Sequence, residues 1–304
     1  MKNNTIVDVI IMGGSYAGLS AALALGRSMR QVLIIDSASP CNKQTPHSHN
    51  FITQDGATPH EISELAKEQV LHYNTISYIE DLALSAHKSD SGFSVHTKSG
   101  KEFSSKKLIL ATGITDIMPS IKGFSACWGI SIVHCPYCHG YEIRNKKTAV
   151  YADTPTALHL APLVKNLTDD LSLIIPDQAE ANMEEIQLLN KYDIQVMHTE
   201  ISAIEHQHGH LQNIVFADGT KHTFEALYAP LAFKQHSYIP EELGCKFTEK
   251  GHIEVDAFQK TTVEGVYACG DNSSMMRSLA QAVQSGNVAG AMVNAALAQE
   301  HFSL

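Results

Sequence analysis

Residues 5–36 read TIVDVIIMGGSYAGLSAALALGRSMRQVLIID, and this stretch decides the fold. Thr5 to Met12 is apolar and β-branched (Ile6, Val7, Val9, Ile10, Ile11), which reads as a buried strand. Gly13-Gly14-Ser15-Tyr16-Ala17-Gly18 follows as a tight turn. Leu19 to Met29 is rich in Ala and Leu, as a helix packed on a sheet would be, and Gln31 to Ile35 is a second apolar strand ended by Asp36. Two buried strands joined by a helix require a right-handed parallel crossover, a βαβ unit. Such a turn sets backbone N–H groups and the positive helix end beside a pyrophosphate. Gly13 makes the turn, and Gly18 lets helix and strand close up. Asp36 ends the second strand, where it can bind ribose hydroxyls. Ser15 stands where the fingerprint has its middle glycine. A plain strand-to-helix turn would also use these glycines; the strands and helix around them favour a cofactor.

The pattern recurs further along. Thr148 to Tyr151 and Leu171 to Ile175 read as strands flanking a helix from Pro155 to Leu167. Ile201 to Glu205 and Leu211 to Phe216 suggest an antiparallel hairpin. Gly265 to Asp271 reads as a last strand, and Arg277 to Gln299 as a long Ala-rich helix. The 304 residues allow roughly two domains of about 150 residues. The expectation is an α/β protein of two Rossmann-like domains, the second inserted into the first. Residues 1–116 and 245–304 form a discontinuous three-layer ββα dinucleotide domain. Residues 117–244 form the inserted domain.

Composition excludes other classes. Thirty-two acidic against 22 basic residues give a formal charge of −10, the wrong sign for a nucleic-acid binder and unfavourable at an anionic membrane. No apolar run approaches the ~18 residues of a membrane span. The N-terminus lacks the order of a signal peptide, so the expected location is cytoplasmic. Of six cysteines, Cys41, Cys127, Cys245 and Cys269 stand alone. The exception is His134-Cys-Pro-Tyr-Cys-His-Gly-Tyr-Glu142. Two thiols separated by two residues can close a small reducible disulfide, and the thiolate is the reactive form. A zinc knuckle using His134 and His139 is a second reading, but a single pair with adjacent histidines is poor tetrahedral spacing. Two inert thiols are a third. No metal site is assigned.

Two more motifs complete the set. Thr262-Val-Glu-Gly-Val-Tyr-Ala-Cys-Gly-Asp271 places an Asp between a strand and a long helix, and Ala111-Thr112-Gly113 closes another apolar strand. Three motifs in this order, with the cysteine pair in the inserted domain, resemble the FAD-dependent pyridine nucleotide-disulfide oxidoreductases. The resemblance to the low-molecular-weight thioredoxin reductases covers essentially the whole chain, and it implies that the inserted domain, residues 117–244, is a degenerate NAD(P)-type domain carrying the redox pair. It implies FAD held by Gly13, Ser15, Tyr16, Ala17, Gly18 and Asp36, by Ala111, Thr112 and Gly113, and by Gly270, Asp271, Gln281 and Ala282. It implies a flavin contact from Asn50, with His47 and His49 near the thiols, and a homodimer. Cys138 would face the flavin and Cys135 would exchange with substrate. His139 replaces the family's acid after the second Cys and, with Glu142, is the candidate acid/base.

The chain departs from those reductases at the nicotinamide site. The expected second Gly-rich turn is Tyr151-Ala-Asp-Thr-Pro-Thr-Ala157, without glycine. Asp153 would meet a pyrophosphate with like charge, and Pro155 removes an N–H donor. Pro176-Asp177-Gln178 offers no Arg or Lys for a 2′-phosphate. This pattern resembles the FAD-dependent dithiol oxidases of the gliotoxin and holomycin type, which share the Cys-Pro-Tyr-Cys-His-Gly motif. The expectation is therefore oxidation of a small-molecule dithiol, or of a thioredoxin-like protein, with electrons passing through FAD to oxygen. Thioredoxin reduction fed by NADPH or ferredoxin is the alternative. A non-catalytic FAD-binding redox sensor is a third possibility.

Overall fold

The computed structural model describes residues 6–89, 91–176, 185, 187, 189 and 191–302. Two compact units divide the chain: Met1–Lys43, Pro59–Thr115 and Phe233–Leu304 form the first, Gln44–Thr58 and Asp116–Ala232 the second.

The opening stretch folds as its pattern dictates: β1 (Val7–Met12), α1 (Tyr16–Arg27) and β2 (Val32–Asp36), with the two strands parallel. After α2 (Pro59–Leu71) come β3 (Ile76–Glu80), β4 (Ala83–Ser89), β5 (Gly92–Thr97) and β6 (Glu102–Leu110). The sheet order is β3-β2-β1-β6-β5-β4. Beyond β1, β6 divides its remaining edge: residues 102–105 pair antiparallel with β5, and Leu108 to Leu110 pair parallel with the strand Val266–Ala268.

Side-chain alternation then makes three layers. Ile10 and Met12 share a core with Leu33, Ile35, Leu108 and Leu110, and with Phe93 and Val95 of the meander. Ile11 faces the other way, toward the start of α1. Against α1 lies the C-terminal helix, Leu279–Phe302, at backbone distance: a Cβ on Gly286 would stand 2.1 Å from the Ala17 carbonyl oxygen. That helix starts two residues later than its composition suggests. Ser278 caps it, accepting from Gln281 N at its Oγ and from Ala282 N at its carbonyl, so Arg277 lies outside.

The second unit repeats the plan. Gln195–His198, Leu171–Ile175, Thr148–Tyr151, Ala226–Tyr228 and Ile132–Val133 form a parallel sheet in that order. One face packs on the helix Thr154–Lys165 through Val150, Leu173, Ala157 and Val164. The other packs on an antiparallel sheet (Ile201–Gln207, His210–Phe216, Lys221–Thr223) through Ile174, Ile204 and Ile214. The return to the first unit falls at 232–233 rather than near 244, because Ile239 and Cys245 are buried in the first unit's core beside Ile10 and Val266. The segment 44–58, expected in the first domain, groups with the second through packing of Gln44 and Thr45 around Gly129. Asp177 and Gln178 lie outside the described residues.

Candidate functional site

In the first unit the three motifs meet. Gly13 has φ of 105°, and a Cβ there would sit 2.2 Å from the Ala111 carbonyl oxygen. A Cβ on Gly18 would sit 1.9 Å from the Gly13 carbonyl oxygen. Ala111 N donates to Met12 O, and Cys269 N donates to Leu110 O. Gly270 packs on Ala17 and donates its N–H to Ser285 Oγ at 3.0 Å. Thr112 Oγ1 accepts from Asn272 Nδ2 at 3.3 Å, and the same amide donates to Leu110 O at 2.9 Å. Gly113 follows with φ of 65°. Gln281 and Ala282 occupy the first turn of the C-terminal helix. Tyr16 is buried and donates its hydroxyl to Pro59 O at 3.1 Å.

These residues fit a dinucleotide. Ser15 is the N-cap of α1 but makes no side-chain cap bond, and the first turn holds no acid. The helix start therefore keeps N–H donors and positive potential for an anion. Asp36 accepts from Gly14 N at 3.0 Å through Oδ1 and from Tyr78 OH at 2.6 Å through Oδ2. Burial and the Asp36 charge raise the pKa of the Tyr78 hydroxyl, keeping it a donor. Carboxylate oxygens have lone pairs left for ribose hydroxyls. Asp271 lies 3.8 Å from Arg277 Nε.

Gly14, Tyr78 and Asn272 were not read from the sequence. Asn272 adjoins Asp271 and Gly14 lies inside the turn, so their neighbours were a signal. Tyr78 had none: only the β2–β3 pairing brings it to Asp36. Asn50 is exposed, with φ of 57° and its N–H on Asp55 Oδ1 at 2.8 Å. It belongs to the second unit.

The second unit carries the cysteines. Cys135 is the N-cap of one helical turn, Pro136–His139, and Pro136 supplies the fixed φ of a first turn. The two Sγ atoms are 2.7 Å apart, and both residues are half-buried. Burial lowers the His139 pKa below the usual histidine value; Glu142 opposes that shift and His49 adds to it. His139 is thus neutral at pH 7 and able to accept a proton. His49 stands between two acids, Nε2 at 3.6 Å from Glu142 Oε1 and Nδ1 at 3.7 Å from Asp55 Oδ1. His47 Nδ1 contacts Gly56 O at 2.9 Å, and His134 stacks on Trp128. Among the described residues no group of three or more His, Cys, Asp or Glu could hold a metal ion.

The second βα turn is built differently from the first. Asp153 is the N-cap of the helix Thr154–Lys165, and its Oδ1 accepts from Thr156 N at 2.9 Å. A carboxylate thus occupies the helix end that a pyrophosphate would need, and Pro155 supplies no donor there.

Residues 7–286 match the model of the pyridine nucleotide-disulphide oxidoreductase family. Thioredoxin reductase tcpT of Claviceps purpurea is 33% identical over 98% of this chain and 96% of its own. The crystal structure of an oxidoreductase from Agrobacterium tumefaciens is 35% identical with a TM-score of 0.91, covering 97% of this chain and 99% of its own. The crystal structure of HlmI is 26% identical with a TM-score of 0.90, over 97% and 94%.

Proposed function

The chain belongs to the pyridine nucleotide-disulphide oxidoreductase family, and from that premise we propose that it is a dithiol oxidase working without NADPH. It is an oxidoreductase of the thioredoxin reductase-like, FAD-binding type. One observation carries the finer reading: two equivalent helix starts with opposite chemistry. The start of α1 has no side-chain cap and no acid, whereas the start of Thr154–Lys165 is closed by its own carboxylate. One favours a pyrophosphate and the other repels it, so the second unit has lost the nicotinamide site and kept the fold.

In the proposed reaction one substrate thiolate attacks Cys135 of the Cys135–Cys138 disulfide. A mixed disulfide forms and the Cys138 thiolate leaves. The second substrate thiol attacks the substrate sulfur of that bond, and the Cys135 thiolate leaves with the substrate oxidised. Two electrons have moved to the cysteines and two protons have been released. Neutral His139 accepts a proton, and the Glu142–His49–Asp55 series leads toward solvent. When bound, FAD supplies a two-electron acceptor that relays the pair to oxygen. The same proposal makes the protein a cytoplasmic homodimer whose partner is a small dithiol or a thioredoxin-like protein.

The names of relatives such as tcpT support a second reading, thioredoxin reduction with NADPH or ferredoxin as donor. Anaerobic titration separates the two. Excess NADPH should leave the flavin band intact, a dithiol should bleach it, and air should restore it. Rapid bleaching by NADPH would return the protein to the conventional reductases. In a mere redox sensor, Cys138→Ser would leave biological output intact; in an enzyme it abolishes turnover.

A further inference from the structure

The strand Ala226–Tyr228 runs parallel to Ile132–Val133, with Tyr228 opposite Val133. Two residues beyond Val133 the chain reaches Cys135. The Tyr228 ring packs in the core with Val133, Val150 and Leu160, and the residue is 1% exposed. Its hydroxyl is buried there without a hydrogen-bond partner. The hydroxyl lies against the turn that carries the cysteines, since a Cβ on Gly140 would stand 3.1 Å from it. A buried hydroxyl left unpaired forfeits its hydration with nothing in return, and a phenylalanine would fill the same space without that penalty. Burial keeps the phenol protonated, and the charges of Cys135 and Glu142 reinforce this. Tyr228 is therefore a fixed donor against the turn that carries Cys135, a residue that is a neutral thiol in one state and a thiolate in another.

We propose that Tyr228 donates its O–H to the Cys135 thiolate whenever the cysteine pair is open, holding that sulfur ionised. The inference rests on the redox role proposed for the pair. The phenol keeps its proton throughout, so no proton or electron changes hands. The thiolate is the species released when substrate leaves and the species that closes the disulfide again, so one donor serves both steps. Other titratable groups surround the pair: His139 and Glu142 from its own turn, and His49 from the 44–58 loop. His139 is neutral and Glu142 carries charge of the same sign as the thiolate, which leaves Tyr228 as a donor from the sheet side.

The test is iodoacetamide alkylation of the reduced, FAD-loaded protein across pH 5–10, read at the Cys135 peptide by mass spectrometry. Tyr228→Phe keeps the ring and deletes only the hydroxyl. The expected result is a midpoint displaced upward by about one pH unit and roughly tenfold slower alkylation at low pH. A profile superimposable on wild type overturns the inference. It does so all the more if the melting temperature rises, because the hydroxyl is then only an unpaired group. The underlying redox reading is judged separately, by whether a dithiol bleaches the wild-type flavin. An unchanged profile in a protein that bleaches refutes Tyr228 alone.

Discussion

Gly18→Ala sets two well-known effects against each other. Gly18 lies inside α1, and helix propensity alone credits alanine with about 1 kcal/mol over glycine. The geometry argues the opposite sign. The new Cβ would sit 1.9 Å from the Gly13 carbonyl oxygen, where real Cβ contacts stay beyond 3.0 Å, and 3.3 Å from Ile11 Cγ2. The closer atom is backbone, itself pinned because Gly13 N donates to Ile35 O at 2.9 Å. No side chain can rotate away, so the start of α1 must move by more than 1 Å. Overpacking of this kind costs about 1–3 kcal/mol, which matches or exceeds the propensity gain. The net effect is a loss of up to about 2 kcal/mol. Displaced N–H groups also lose charge-assisted bonds to the pyrophosphate, at about 1.5–3 kcal/mol each, so FAD affinity should fall at least tenfold. Thermal unfolding of the apoprotein and the flavin-to-protein ratio after gel filtration measure both. A variant that melts higher than wild type and keeps a full complement of flavin would refute the close approach and the cradle built on it.

Other perturbations follow from the same geometry. Tyr78→Phe deprives Asp36 Oδ2 of its 2.6 Å donor, and FAD should bind about tenfold more weakly in equilibrium titration of the apoprotein. Asp153→Ala removes a helix cap, so stability should fall by about 1 kcal/mol in urea unfolding; NADPH should still not bleach the flavin, because Pro155 and the missing glycines remain. His139 has a lowered folded pKa, so below pH 6.5 the unfolded chain binds more protons at this site. Its contribution to stability should therefore be complete above pH 6.5 and decline as pH falls toward the folded value, a slope that His139→Gln should remove from the pH dependence of urea midpoints.

Much of the molecule was legible in one dimension because its chemistry is local. The run Val9, Ile10, Ile11 is buried on both faces, and only a covered parallel strand needs that. The glycines at 13 and 18 are required by contacts within the same turn. The Cys-Pro-Tyr-Cys spacing keeps two thiols within reach of one another, and the structure closes it into one helical turn. The absence of glycine between Tyr151 and Ala157 announced the altered second turn, and the Asp153 cap gives its physical form. Boundaries were less legible. The loop at Gly244 looked like a domain exit until Ile239 and Cys245 proved to be core residues of the first unit. The loop that carries Asn50 was placed with the first domain, because a sequence does not say which unit a loop packs on.

The sequence by itself determined the two crossover units, the glycine-rich strand-to-helix turn and the closely spaced thiol pair, since each depends on residues a few positions apart. Only the tertiary structure decided which distant groups complete them. Tyr78 reaches Asp36 across a strand pair, His49 reaches Glu142 from a separate loop, and Tyr228 reaches the cysteine turn from a strand some ninety residues later. Such encounters are fixed by sheet register and burial, which arise from the packing of whole elements and leave no spacing in the chain to read.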